Sequence, residues 1–151
     1  MTIDVNPPSR DAPACAIWNP SAATGWSLVF TPAFGAFIHM LNWQAMGQPE
    51  RAASARKWLY ASLVLLLLQI TTRALNDRFG TEPLLLHPAG LLFFVIWYFG
   101  AARQQSLLVR QRYGARYQRK SWDSALLGAV VAGAMYALVG ALCSLIFVAL
   151  T

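Results

Sequence analysis

ALLGAVVAGAMYALVGALCSLIFVAL, residues 125–150, runs for 26 residues without one Asp, Glu, Lys, Arg or His. About 20 apolar residues, each rising about 1.5 Å, cross the roughly 30 Å hydrocarbon core of a bilayer, so the run reads as a membrane span. Within it Ala125, Ala129, Gly133, Ala137 and Ala141 recur at every fourth position. Gly128, Ala132, Gly140 and Ser144 occupy the neighbouring row, interrupted by Tyr136. Small side chains at that spacing let a second helix approach closely in lipid, where dispersion drives packing. The stretch therefore predicts the inner helix of a small bundle, with the first row as its packing face.

Composition agrees with lipid as the solvent. The chain has 151 residues, 57% apolar and 12% charged, where a soluble domain carries about 25% charged residues. Its length suits one domain. A net charge of +6 raises nucleic acid as a partner, but the basic residues sit in short segments beside apolar runs, as membrane topology requires. Nucleic acid is accordingly not expected. Cys15 and Cys143 form no CxxC pair, which argues against a disulfide framework or metal site. The first residues lack the basic start and apolar core of a cleavable signal. Residues 1–17, with Pro7, Pro8 and Pro13, read as a flexible tail ahead of a transmembrane domain over 18–151.

Three more spans precede the last, at about 26–46, 58–75 and 84–102. The expected fold is thus an all-α bundle of four transmembrane helices. Asn19 and Pro20 suit a helix cap and first position. In the first span Pro32 predicts a kink, and His39 and Asn42, three apart, share one face. Gly47 and Pro49 end that span and start the next. Residues 103–123 carry six Lys or Arg and one acid. Their first half predicts a continuation of the third helix, with Leu107, Leu108 and Val109 toward lipid and a break at Gly114.

An even number of spans puts both termini on one side, with Arg10, Arg73 and Arg78. Arg51, Arg56, Lys57, Arg103, Arg110, Arg112, Arg116, Arg119 and Lys120 fall on the other. The bias of basic residues toward the cytoplasm therefore predicts both termini outside.

The block WNPSAATGWSLVFTPAFGAFIHMLNWQAMGQPERA, with RYGARYQRKSW later, resembles a family of uncharacterised small bacterial inner-membrane proteins, chiefly proteobacterial. The likeness covers roughly residues 17–124. It implies a multi-pass protein of the bacterial inner membrane and transfers no catalytic residue.

No nucleophile–base pair, metal set or embedded carboxylate is legible, so neither enzyme chemistry, a cofactor nor a metal is expected. His39 and His87 fall toward opposite sides and cannot share an ion. Pro32, Gly35, His39 and Asn42 form a candidate polar intramembrane site. Arg110, Arg112, Arg116, Arg119 and Lys120 are candidate contacts for anionic lipid headgroups or a protein partner, at about 1 kcal/mol per basic residue near a membrane surface. The expected function is a non-enzymatic inner-membrane protein that binds or protects another membrane component. An immunity protein against a membrane-targeting toxin is one form of it. The alternative is a small oligomeric channel or transporter.

Overall fold

The computed structural model describes residues 15–79, 86–114 and 116–149, without the side chains of Leu86 and His87. The described chain is all-helical. Asn19 caps α1 (Pro20–Phe30), its Oδ1 accepting from the backbone N–H groups of Ser21 at 3.0 Å and Ala22 at 3.3 Å. Then α2 (Pro32–Ala45) starts at Pro32.

The first span expected over 26–46 is therefore not one kinked helix. α1 and α2 fold back on each other: Thr24 Oγ1 lies 3.4 Å from His39 Nε2, and Ser27 packs directly against Gly35. The residue before a proline is pushed out of the helical region, which ends α1. At Thr31 the backbone goes further, to φ 115° and ψ 157°, and the chain reverses. Eleven and 14 residues make arms of only about 17 and 21 Å.

That φ lies in a region nearly confined to glycine, where a residue stores about 1–3 kcal/mol of strain. A glycine there costs roughly 0.5–1 kcal/mol in lost chain freedom. Thr31→Gly is expected to stabilise the protein by about 1 kcal/mol, seen as a raised thermal unfolding midpoint. A lowered midpoint would mean that contacts of the Thr31 side chain outweigh the strain.

The end of α2 matches the sequence closely. Gly47 takes φ 68°, its N–H bonds to the Gln44 carbonyl at 3.0 Å, and that of Gln48 reaches Trp43 at 2.9 Å. These paired bonds close the last turn and satisfy carbonyls the helix leaves open. α3 (Pro49–Phe79) then runs antiparallel to α2. Trp43 packs on Ala52 and Ala55, and Arg51 lies 4.9 Å from the Trp43 ring.

α4 (Leu86–Trp97) returns along α3, with Phe93 5.8 Å from Trp58. It passes without a break through a π-helical turn, Tyr98–Ala102, into α5 (Arg103–Arg112). The extra residue of a π turn rotates α5 relative to α4, so Trp97, Ala102, Gln105 and Val109 all point inward and are buried. Val109, expected toward lipid, packs instead on Ile17 and Tyr117, and Leu108 on the Trp43 cluster. Gly114, at φ 57°, ends α5 as expected.

α6 (Asp123–Ala149) runs parallel to α3. Gly140 faces Ile70, and Ser144 Oγ donates to Asp77 Oδ2 at 2.7 Å.

One end of the molecule thus collects residues 15–19, the α2–α3 turn, α5, residues 116–122 and the start of α6. The other collects the end of α3, the start of α4 and the end of α6. Cys15 and Ala149, the outermost described residues, therefore lie at opposite ends of the molecule. Of the expected tail, residues 1–14 lie outside the described residues, whereas Ile17 is fully buried. It pairs with the basic segment: its N–H donates to the Gln118 carbonyl and its carbonyl accepts from Lys120, both at 3.0 Å.

Candidate functional site

The hairpin has a polar interior. Asn42 is fully buried. Its Oδ1 accepts the Trp18 backbone N–H at 2.9 Å, and its Nδ2 donates to the Trp18 carbonyl at 2.9 Å. A third bond runs from Nδ2 to Gln105 Oε1 at 3.2 Å. Gln105 Nε2 in turn donates to the His39 carbonyl at 2.9 Å. One amide thus ties together the N-terminal segment, α2 and α5. Gln105, also fully buried, does not stand out in the sequence because it sits among Arg and Gln residues. The signal is its place three residues after Ala102 and four before Val109.

Gly35 makes the hairpin possible. A Cβ at this position would collide with Ser27 Oγ and reach Trp97 Cη2 at 2.5 Å. Trp97 fills the space under α2, meeting His39 edge-on with ring centroids 5.5 Å apart.

His39 is buried, and its Nδ1 has no hydrogen-bond partner among the described residues. The Thr24 hydroxyl already donates to the Pro20 carbonyl at 3.0 Å, so towards His39 it can only accept. Beside the imidazole lies a cavity of about 50 Å³, with Arg51, Ser54 and Gln104 also in its lining, room for a water. His39→Leu removes an orphaned acceptor and one long contact. It is expected to change stability by less than about 1 kcal/mol, read from the thermal midpoint. A drop comparable to that from loss of Asn42 would place His39 in the binding network instead.

Of the four residues expected to form a polar site, Gly35 and Asn42 are thus packed inside the hairpin, and His39 lies between it and the small cavity. Pro32 stands apart, beside the turn, lining a second cavity of about 260 Å³ between the hairpin, α3 and α4.

A larger groove opens on the opposite side of the hairpin. It has a volume of about 590 Å³ and lies between α2, α3 and α6. Its walls are Phe30, Phe34 and Ile38 from the hairpin, Leu63, Leu66 and Ile70 from α3, and small residues from α6. Ala125, Ala129 and Gly133 of the expected packing face line it, together with Gly128, Ala132 and Tyr136. Ala137 and Ala141 do not; they are exposed. At that level Gly140 and Ser144 of the neighbouring row meet α3 instead. A row of every fourth residue winds around its helix axis, so two straight helices cannot keep one row in contact along its whole length.

Arg110, Arg112, Arg116 and Arg119 are exposed at the basic end, and Lys120 is half-buried there. The Lys120 Nζ lies 4.4 Å from the Trp18 ring centroid, and Trp18 Nε1 donates to the Ser121 carbonyl at 2.9 Å. Below Arg112, burial and the adjacent Cys15 thiol push the Tyr113 phenol above its ordinary range, with Arg112 pulling it back. Cys15 and Cys143 are free thiols, the first at the basic end and the second in the far half of α6.

Compared with protein-family models, with curated proteins and with solved structures, the chain matches none.

Proposed function

We propose that this is a non-enzymatic, multi-pass protein of a bacterial inner membrane that binds another membrane component through the groove between α2, α3 and α6. The observation that carries the reading is that groove: large, apolar, open to the side, and walled on one flank by a helix with little else to pack on.

Lipid as the surrounding medium is supported by α3 and α6, both long and apolar enough to cross a membrane. In the most apolar window of α6 none of the residues is buried, and in that of α3 17% are. A core helix of a soluble protein would be covered. Leu127, Val130, Met135, Leu138 and Leu145 are instead each more than half exposed, a continuous apolar surface that water does not tolerate. The unbroken helix from Leu86 to Arg112 supplies a third passage, and α1–α2, too short to cross, a re-entrant hairpin. With the basic end in the cytoplasm, the segment 15–19 is cytoplasmic and α6 ends outside. That arrangement replaces the expected four crossings with both termini outside.

An immunity-type role, in which the partner is a toxin acting in the same membrane, is one form of this reading. The channel or transporter reading retains one supporting observation: the irregular backbone at Thr31 lines both larger cavities, where broken helices at membrane depth belong. Gly35 and Asn42 line none of the three cavities, and His39 lines only the small one of about 50 Å³.

The test is purification from native membranes in mild detergent, with the mass and composition of the complex determined. A stoichiometric foreign component supports binding. A bare homo-oligomer that conducts ions or solutes in liposomes overturns it in favour of the channel.

A further inference from the structure

We infer that the groove seats one acyl chain of an anionic phospholipid, whose headgroup is held at the basic end by Arg56 and Lys120. The inference rests on the binding reading above and names the occupant.

Shape is the first argument. The groove runs along α6 from Ser124 to Tyr136, one residue from the start of that helix to nearly halfway along it, and meets the hairpin turn at Thr31. It therefore runs inward from the basic end, along the direction a lipid chain takes. A methylene occupies about as much room as a water molecule, roughly 30 Å³. The volume of about 590 Å³ thus suits one chain and not two. Nearly every lining side chain is apolar, and the small residues of α6 give the groove its width.

Charge is the second argument, and it selects the headgroup. Residues 120–122 sit at the basic end of the groove: the Trp122 ring lies 6.5 Å from that of Phe34, a wall residue. Lys120 stands beside it over Trp18. On α3, Arg56 is seven residues before Leu63, two turns toward the basic end on the same face, and exposed. Among the described residues, the nearest acids lie off this face. Asp123 shares its row with Leu127, and Glu50 with Lys57 and Val64, and neither Leu127 nor Val64 lines the groove. The end where a headgroup would sit is cationic, so a lipid with net negative charge is favoured over a zwitterionic one.

The test uses the intact protein in mixed detergent micelles with phosphatidylglycerol or phosphatidylcholine, and native mass spectrometry to count retained lipid. One phosphatidylglycerol per chain is expected, held in preference to phosphatidylcholine. Arg56→Gln with Lys120→Gln should lower that preference roughly thirtyfold, taking each basic residue at its usual worth near a membrane surface. Gly133→Leu should abolish retention, since a Cβ there meets no atom within 4 Å and the added side chain projects into open space. Ala137→Leu, outside the groove on the same helix, should leave retention unchanged. If the Gly133 variant aggregates, Ala125→Leu at the basic end replaces it.

Equal retention of both lipids, or retention unaffected by filling the groove, overturns the inference. If Gly133→Leu instead releases a protein from the complex isolated from native membranes, or splits a homo-oligomer, the groove holds a helix. The lipid is then wrong while binding at the groove stands. If neither lipid nor protein is retained by the unaltered chain, both the inference and the binding reading fail.

Discussion

Asn42→Leu is expected to free the N-terminal segment from the basic end and to cost about 3 kcal/mol. The substitution leaves the Trp18 N–H, the Trp18 carbonyl and Gln105 Oε1 without their partner. A buried polar group left unsatisfied costs about 1–3 kcal/mol. A side-chain hydrogen bond between membrane helices averages only about 0.6 kcal/mol, because separated helices find other partners in the membrane. Asn42 differs in that two of its bonds go to the backbone of one residue, Trp18, at the basic end. Cys15, two residues before Ile17 and packed on the Ile17 cluster, reports on the segment. In a Cys143→Ser background, its labelling by a maleimide should accelerate by roughly a hundredfold if labelling requires the segment to open. The thermal midpoint should fall with it. Unchanged labelling together with an unchanged midpoint would mean that Asn42 does not hold this end of the molecule.

Gly35→Leu is expected to break the α1–α2 hairpin, at about 3 kcal/mol or more. The new side chain would have to occupy the space of Ser27 and of the Trp97 ring at once. Trp97, the last residue of α4, is nearly fully buried and packed on Ala36 of α2. The smaller change Gly35→Ala separates the two collisions. Combined with Ser27→Gly, it should recover part of the lost stability, because that partner withdraws while the tryptophan stays. The coupling between the two substitutions, read from a double-mutant cycle of unfolding midpoints, measures the contact across the hairpin. A Gly35→Leu protein as stable as the parent would sink the α1–α2 hairpin, since Gly35 meets Ser27 only if the chain reverses at Thr31.

Much of this architecture is legible in the sequence, and for local reasons. The charge-free run in α6 and the apolar run within α3 identify helices suited to lipid from length and composition alone. Asn19-Pro20 as a helix start, Gly47 as the end of α2 and Gly114 as the end of α5 are set by the backbone conformations each residue allows. Each needs only its neighbours in sequence.

The errors fall where a decision depends on residues far apart in the chain. Thr31-Pro32 announces that a helix must stop there, but a kink and a reversal look alike in sequence. The reversal is decided by the surface opposite: the small face of Ala23, Thr24 and Ser27 closing on Gly35 and Ala36, with Trp97 from a distant helix filling the space beneath. That choice sets the end of the molecule at which residues 15–19 lie. His39 and Asn42 do share one face, but their roles diverge because Gln105 and Trp18, 63 and 24 positions away from Asn42, satisfy one and not the other. The groove likewise belongs to no single stretch. The sequence by itself determined that the apolar segments are helical, that Asn19-Pro20, Gly47 and Gly114 start or end helices, and that two of those segments suit a bilayer, because propensity, capping and hydropathy are local. The tertiary structure decided whether the first apolar segment runs on or folds back, which row of α6 meets α3, and where the open groove lies. Those outcomes depend on contacts between helices, and sequence spacing within one helix does not encode them.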